Sequence, residues 1–447
     1  MPELRANGAR ASVMTAPSLR RTLGWLMLVG GLLTGIHLTR RLGTAGIYTD
    51  DFANDYASAQ AILGGQSPYA TSASVLIVAH LPAAKDRVME TPYAVPHTPV
   101  MGLLTVPFAL FSYGTARTLW LALEALLLLT LGALVPLPAG GLRKALVPIA
   151  LLAWPPVAME LRFGNWSLVL AVLTVLAWRC HRAERPRGAG ALLGLAVAIK
   201  LFPAVLLGFF VLKRAWRTTG WTIGVAVALT LAPVVVNSDL LLSYLHAGGQ
   251  VPWGTLASFA NYSALGAAAR VVTTSHAFGG VPPVVSAPAW TLPLCTLTAL
   301  ILLWGSGRVV RRSGDDVGFA VALCAATLLT PVAWQYYLCL LLWPLGVLAT
   351  RLHDRGWPRA EARAFFAAFV LLSVPQQAVS IVALAPAATW APAGALVLLL
   401  LPAGPLVLLS LLSTLDVRGA VPMRQAVSSA REARAFLSCA AAQMDAR

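Results

Sequence analysis

Apolar residues in this chain gather into long runs, and polar residues fall in short clusters between them. Runs able to cross a bilayer, which needs about 20 apolar residues in a helix, lie at roughly 22–39, 117–138, 144–160, 166–180, 219–237, 289–310, 317–330, 334–350, 364–386 and 391–415. Two more apolar stretches, 98–112 and 188–212, are interrupted by Pro99, Pro107 and Pro203 and are read as re-entrant or partly embedded. The pattern predicts an all-α, polytopic integral membrane protein of about 10–13 transmembrane and re-entrant helices. It divides the chain into a tail (1–21), a membrane domain (22–415) with large loops at 40–97 and 238–288, and a second tail (416–447).

The polar clusters orient that bundle. Of 447 residues 58% are hydrophobic and only 11% charged, which excludes a soluble core carrying a single anchor. The net charge of +16 sits in short basic runs: Arg20-Arg21, Arg143-Lys144, 179–187, 213–217, 308–312 and 351–363. A nucleic-acid binder would collect such charge on one face. Alternation with the spans instead follows the positive-inside rule, placing both termini in the cytoplasm of a cell inner membrane. The five cysteines show neither a paired spacing nor a metal-type one, and no metal ligand set is expected. The first apolar run reads as an uncleaved signal anchor.

With that orientation the unusual motifs all fall on the outer face: 50–69, Arg162-Phe163-Gly164-Asn165-Trp166, Lys200-Leu201-Phe202-Pro203, 238–288 and Thr330-Pro331-Val332-Ala333-Trp334-Gln335-Tyr336-Tyr337. Broken backbone at membrane depth requires a protein-buried or water-lined setting, so these turns predict a cavity opening outward.

Three carboxylates, Asp50, Asp51 and Asp55, stand within six residues. A helix there would put Tyr48, Phe52, Tyr56, Ala59 and Leu63 on one face with Asp51, Asp55 and Ser58 beside it, lying along the bilayer surface. The plainer reading is a solvated loop. Lys200, between Val197-Ala198-Ile199 and Leu201-Phe202, is expensive in an apolar setting unless it faces a cavity or an anion such as phosphate. Its plainer readings are snorkelling to the interface or pairing with Glu124, a residue expected to have a buried polar partner. Arg162 and Arg270 are further phosphate candidates in outer turns.

Taken together these motifs resemble glycosyltransferase family 87, membrane enzymes of the GT-C superfamily that use polyprenyl-phosphate sugars. The resemblance runs from about 22 to 350. It rests on Asp51-Phe52-x-x-Asp55-Tyr56 with Gly64 and Ser67-Pro68-Tyr69, on His97-Thr98-Pro99-Val100, on Gly164-Asn165-Trp166-Ser167, on Lys200-Leu201-Phe202-Pro203, on Ala260-Asn261-Tyr262-Ser263 with Arg270, and on Thr330-Pro331-x-x-Trp334. The sequence departs from the family where histidines usually follow the tryptophan, since Tyr336 and Tyr337 stand there, and His97 is a candidate substitute.

The resemblance implies a GT-C-type bundle and transfer of a sugar, most often mannose, from a polyprenyl-phosphate donor to a glycolipid or glycan acceptor. It implies Asp51 as the general base that takes the acceptor proton while the hydroxyl attacks the anomeric carbon, with inversion. Asp55, one turn on, is placed to act on Asp51 by like-charge repulsion or to hold an acceptor hydroxyl. Asp50, Tyr56, His97, Asn165, Lys200, Asn261, Arg270, Trp334, Tyr336 and Tyr337 are the expected substrate-binding residues, with Lys200 and Arg270 at the phosphate. No cofactor is expected beyond the lipid-linked donor, and membrane lipids are the surroundings. The competing reading is a transporter or flippase for a lipid-linked sugar. It is disfavoured by the absence of an internal sequence repeat and by the one-sided loops.

Overall fold

The computed structural model describes residues 25–26, 28–36, 51–86, 88, 90–91, 93–137, 146–248, 254–275, 281–376, 378 and 400–417. Asp50, Tyr48, the 1–21 tail and nearly all of the 416–447 tail lie outside them. Every regular element among the described residues is a helix. The protein is all-α, as the apolar runs predict.

Three of these helices are long and apolar enough to cross a membrane: Tyr113–Leu134, Trp216–Val236 and Pro288–Arg312. A fourth crossing results if Pro155–Phe163 and Ser167–Arg182, bent by 116° at their junction, count as one span. Among the described residues several of the other apolar runs fold into shorter pieces, and proline stands at most of the breaks. The 144–160 run divides into Val147–Leu151 and a helix opening on Pro155. The 188–212 run divides into Pro186–Ile199 and Val205–Leu212 around Lys200–Pro203. The 334–350 run begins as a tight 3-10 turn, Gln335–Leu341, before Leu342–Asp354. The 98–112 stretch is one short helix, Pro99–Ala109, with Thr98 as its N-cap.

The long helices keep apolar faces outward. On Trp216–Val236 the exposed side chains include Ile223, Val227, Leu231 and Val235, and on Pro288–Arg312 they include Leu297, Leu300, Ile301 and Trp304. Such faces suit lipid. Where helices meet, small residues let the backbones approach. A Cβ at Gly194 would lie 2.8 Å from both the Thr222 carbonyl oxygen and the Val225 Cβ, so Pro186–Ile199 packs directly on Trp216–Leu231.

Two aromatic layers fill the interior. Trp178 stacks on Phe319 at 4.9 Å and meets Phe209 edge-on at 5.6 Å, joining Ser167–Arg182, Val205–Leu212 and Asp315–Leu329. Near the loop end, Trp120 lies 5.3 Å from Phe52, 5.3 Å from Phe108 and 4.8 Å from Trp166. This second layer is the floor on which the polar motifs stand.

Candidate active site

Asp51 opens the helix Asp51–Leu63, where a carboxylate in the first turn complements the positive end of the helix dipole. Phe52, Tyr56 and Ala59 are buried as expected, whereas Leu63 at the helix end is exposed, and the helix does not lie on a surface with its acids turned outward. Asp55 is fully enclosed, whereas Asp51 is half-buried and borders a cavity of about 1140 Å³.

The Gly164-Asn165-Trp166 motif connects these acids to the rest of the site. Gly164 ends Pro155–Phe163 in the left-handed conformation, at φ +65°. A Cβ there would lie 2.8 Å from the Phe52 Cβ and 3.2 Å from the Arg117 guanidinium carbon, so both the turn and the close approach call for glycine. The turn aims Asn165 Nδ2 at Asp51 Oδ2, to which it donates at 2.7 Å. Asn165 Oδ1 accepts from Lys200 Nζ and from the Trp166 backbone N–H, at 2.7 Å each. Two obligate donors on one side and a carboxylate on the other fix the orientation of the amide. Trp166 Nε1 donates to Asp55 Oδ2 at 2.9 Å.

Lys200 ends the helix Pro186–Ile199 in extended conformation and is 9% exposed. Besides Asn165 it donates to the Tyr337 hydroxyl at 3.0 Å, and its ammonium sits 4.4 Å from the Tyr337 ring centroid. A buried ammonium with two hydrogen bonds and an aromatic face is compensated where an isolated one would not be. The pairing with Glu124 is not formed. Glu124 lies 3.5 Å from Arg117, the buried polar partner expected for it. Arg117 in turn donates to the Leu161 and Arg162 carbonyls at 2.7 and 3.2 Å, capping the helix that Gly164 ends.

The other Asp55 oxygen meets His97 Nδ1 at 2.6 Å. Tyr69 donates its hydroxyl to the His97 carbonyl at 2.8 Å, and its ring lies 5.4 Å from Tyr244. Burial pushes the Tyr69 phenol well above its usual range, with Tyr244 and Asp55 adding to the effect, so it acts as a donor. The cavity wall brings together Asp51, His97, Asn165, Lys200, Trp334, Tyr336 and Tyr337. Tyr336 faces Asp51, and Tyr337 stacks on Phe202 at 5.2 Å.

Besides the enclosed Asp55, three expected contacts stand elsewhere. Tyr56 is 5% exposed and donates to the Phe111 carbonyl at 2.8 Å, within the aromatic floor. Asn261 is enclosed and stitches two loops, donating to the Leu256 and Pro331 carbonyls and accepting from the Ser263 and Ala333 N–H groups, all at 2.8–2.9 Å. Arg270 donates to the Ser258 and Asn261 carbonyls at 2.7 and 3.0 Å, and burial pushes it down to about 9. Neither Asn261 nor Arg270 lines the cavity; Asn261 holds the turn that carries Trp334, and Arg270 holds the 258–261 loop.

Glu160, not singled out in the sequence, is fully enclosed and accepts from the Leu168 N–H at 2.9 Å, bracing the 116° bend from behind. A lone acid four residues before a glycine in an apolar run was the available signal. Among the described residues no group of three His, Cys, Asp or Glu side chains could hold a metal ion.

The profile of glycosyltransferase family 87 matches residues 96–333, over half of the chain. The chain belongs to glycosyltransferase family 87. It is 29% identical over 216 residues to the polyprenol-phosphate-mannose-dependent alpha-(1-2)-phosphatidylinositol mannoside mannosyltransferase of Mycolicibacterium smegmatis, covering 46% of each chain. To the protein of the same description from Mycobacterium tuberculosis it is 26% identical over 355 residues, covering 73% of this chain and 77% of that one. The chain thus spans about half the length of the first relative and more of the second. No solved structure matches. In this family-87 chain the profile takes in His97, Asn165 and Lys200. Asp51, Trp334, Tyr336 and Tyr337 fall outside the matched stretch and join the site through the fold.

Proposed function

We propose that the chain transfers a sugar, mannose before others, from a polyprenyl-phosphate donor to a hydroxyl of a cell-envelope glycolipid or glycan. The relatives are named for a polyprenol-phosphate-mannose donor and a phosphatidylinositol mannoside acceptor, which supports this pairing. The observation that carries the reading is the link from Asp51 through Asn165 to Lys200, which holds a carboxylate and an ammonium on one cavity wall.

Each end suits one half of an inverting displacement. The half-buried Asp51 carboxylate takes the proton of the acceptor hydroxyl as its oxygen bonds to the anomeric carbon. The bond from that carbon to the phosphate oxygen breaks, its electron pair stays with the phosphate, and Lys200 offsets the new charge. Asn165 keeps the two groups apart and oriented, and the apolar part of the cavity accommodates isoprene units. The basic runs support a cell inner membrane location, both termini in the cytoplasm and the cavity on the opposite side.

The test is sugar transfer by the lipid-reconstituted protein from polyprenyl-phosphate-mannose to a panel of envelope glycolipids, alongside Asp51→Asn. Transfer by the wild type and its loss, by a factor of about 10²–10⁴, in a folded variant supports the reading. A variant as active as the wild type removes Asp51 from the reaction. Donor movement across the bilayer without transfer would favour the flippase instead.

A further inference from the structure

His97 on the cavity wall and the enclosed Asp55 behind it form a second pair, apart from the Asp51–Asn165–Lys200 link. The two carboxylates are in opposite circumstances. Asp51 reaches the cavity, whereas Asp55 is 0% exposed and has both oxygens occupied, one by His97 Nδ1 at 2.6 Å and one by Trp166 Nε1 at 2.9 Å. Asp55 is thus enclosed, held on both oxygens, and does not line the cavity. What it does is fix a ring. A carboxylate at Nδ1 requires a proton on that nitrogen and sets the tautomer and tilt of the imidazole. His97 is itself 9% exposed, lines the cavity, and forms no hydrogen bond through Nε2 among the described residues.

The placement of His97 also selects a side of the reaction. The next residue, Thr98, donates its hydroxyl to the Ala198 and Ile199 carbonyls at 3.1 and 3.0 Å, the last turn before Lys200. The segments that carry His97 and Lys200 are thereby joined, both residues line the cavity, and two nitrogen donors on one wall suit an oxyanion. We propose that His97, oriented by Asp55, is a catalytic residue on the leaving-group side, donating its Nε2 proton to the departing phosphate oxygen. Asp55 is a positioning residue.

The step balances. The acceptor proton goes to Asp51, the anomeric carbon exchanges one oxygen for another, and the phosphate oxygen that keeps the electron pair takes the His97 proton. The imidazole is left neutral, with Nδ1–H still on Asp55. Asp51 then loses a proton to water and His97 regains one, so turnover consumes none. This inference rests on the transferase reading above, and the test separates the two.

The experiment uses the reconstituted full chain and polyprenyl-phosphate-mannose. His97→Gly is expected to lower kcat by about 100-fold with little change in the acceptor KM, and added imidazole to restore about a tenth of the loss or more. Asp55→Asn lowers kcat similarly without rescue, since the ring is still present but turned. His97→Gln controls for folding through its melting temperature. A kcat for His97→Gly within about threefold of wild type, or a loss that imidazole leaves unchanged, overturns the proposal while the Asp51→Asn result stands by itself. If the wild type transfers nothing from this donor, the transferase reading fails, and the phosphate contact is decided by binding of polyprenyl phosphate. His97→Gly then weakens it about tenfold, or equal affinities dismiss the contact.

Discussion

The Asn165 amide nitrogen stands 2.7 Å from Asp51 Oδ2. The other end of the same amide holds Lys200, so one small side chain sets the spacing of the two charged groups proposed for the chemistry. Asn165→Ala removes both contacts at once. The expected outcome is a fall in kcat of about 10–100-fold, since groups displaced by an ångström lose about that much. The melting temperature falls as well, because the buried Lys200 ammonium loses one of its two hydrogen bonds, and steady-state transfer with thermal unfolding checks both.

Lys200 contributes differently at its two faces. Lys200→Met leaves Asn165 Oδ1 and the Tyr337 hydroxyl without the ammonium they share. It also removes the charge proposed to face the departing phosphate. A kcat loss of about 10²–10³ is expected, the scale for losing one electrostatic stabiliser. Lys200→Arg restores charge but not the compact geometry and recovers only part. Transfer rates of the two variants at saturating donor are the measurement.

Gly164→Ala tests the turn rather than the chemistry. Its φ of +65° and the 2.8 Å approach to the Phe52 Cβ make any side chain strained there. The loss is expected at about 1–3 kcal/mol, read as a lower melting temperature. Activity of the folded fraction falls too, because Asn165 is the next residue.

Gly194→Leu probes the helix contact away from the cavity. With the Thr222 carbonyl oxygen and Val225 Cβ each 2.8 Å from a Cβ at that position, Leu must force the Pro186–Ile199 and Trp216–Leu231 helices apart. Poor yield of monodisperse protein in detergent is expected, while Gly224→Leu, where a Cβ meets nothing within 4 Å, leaves yield unchanged. Size-exclusion profiles decide.

The apolar runs made the helical, membrane-embedded class legible, because run length and charge alternation are properties of sequence alone. They did not give the element lengths. Pro155 and Pro375 stand where apolar runs continue but helices stop or change direction, and hydropathy does not register that difference, whereas the break at Pro203 was read from the proline itself. At the site, Asp51, His97, Asn165, Lys200, Trp334, Tyr336 and Tyr337 were readable as unusual polar or aromatic residues in outer turns, and they do share one cavity wall. Tyr56, Asn261 and Arg270 were equally unusual yet serve the scaffold, since a motif residue that holds a loop looks in sequence like one that holds a ligand. Asp55 was visible as an acid, but its enclosure between His97 and Trp166 depends on contacts across 42 and 111 residues, which local spacing does not reveal.

The Asp51–Asn165–Lys200 link also has a consequence for turnover. One carboxylate and one ammonium joined by a neutral amide leave the resting wall electroneutral, a state that a low-dielectric boundary tolerates. A singly charged phosphodiester donor can enter such a wall without meeting net repulsion. In the proposed reaction the lipid phosphate keeps the electron pair of the broken bond and Asp51 returns its proton to water. The cavity then holds one negative charge more than when the donor arrived, until His97 regains its proton. Product release is favoured by the same charge count that admitted the substrate.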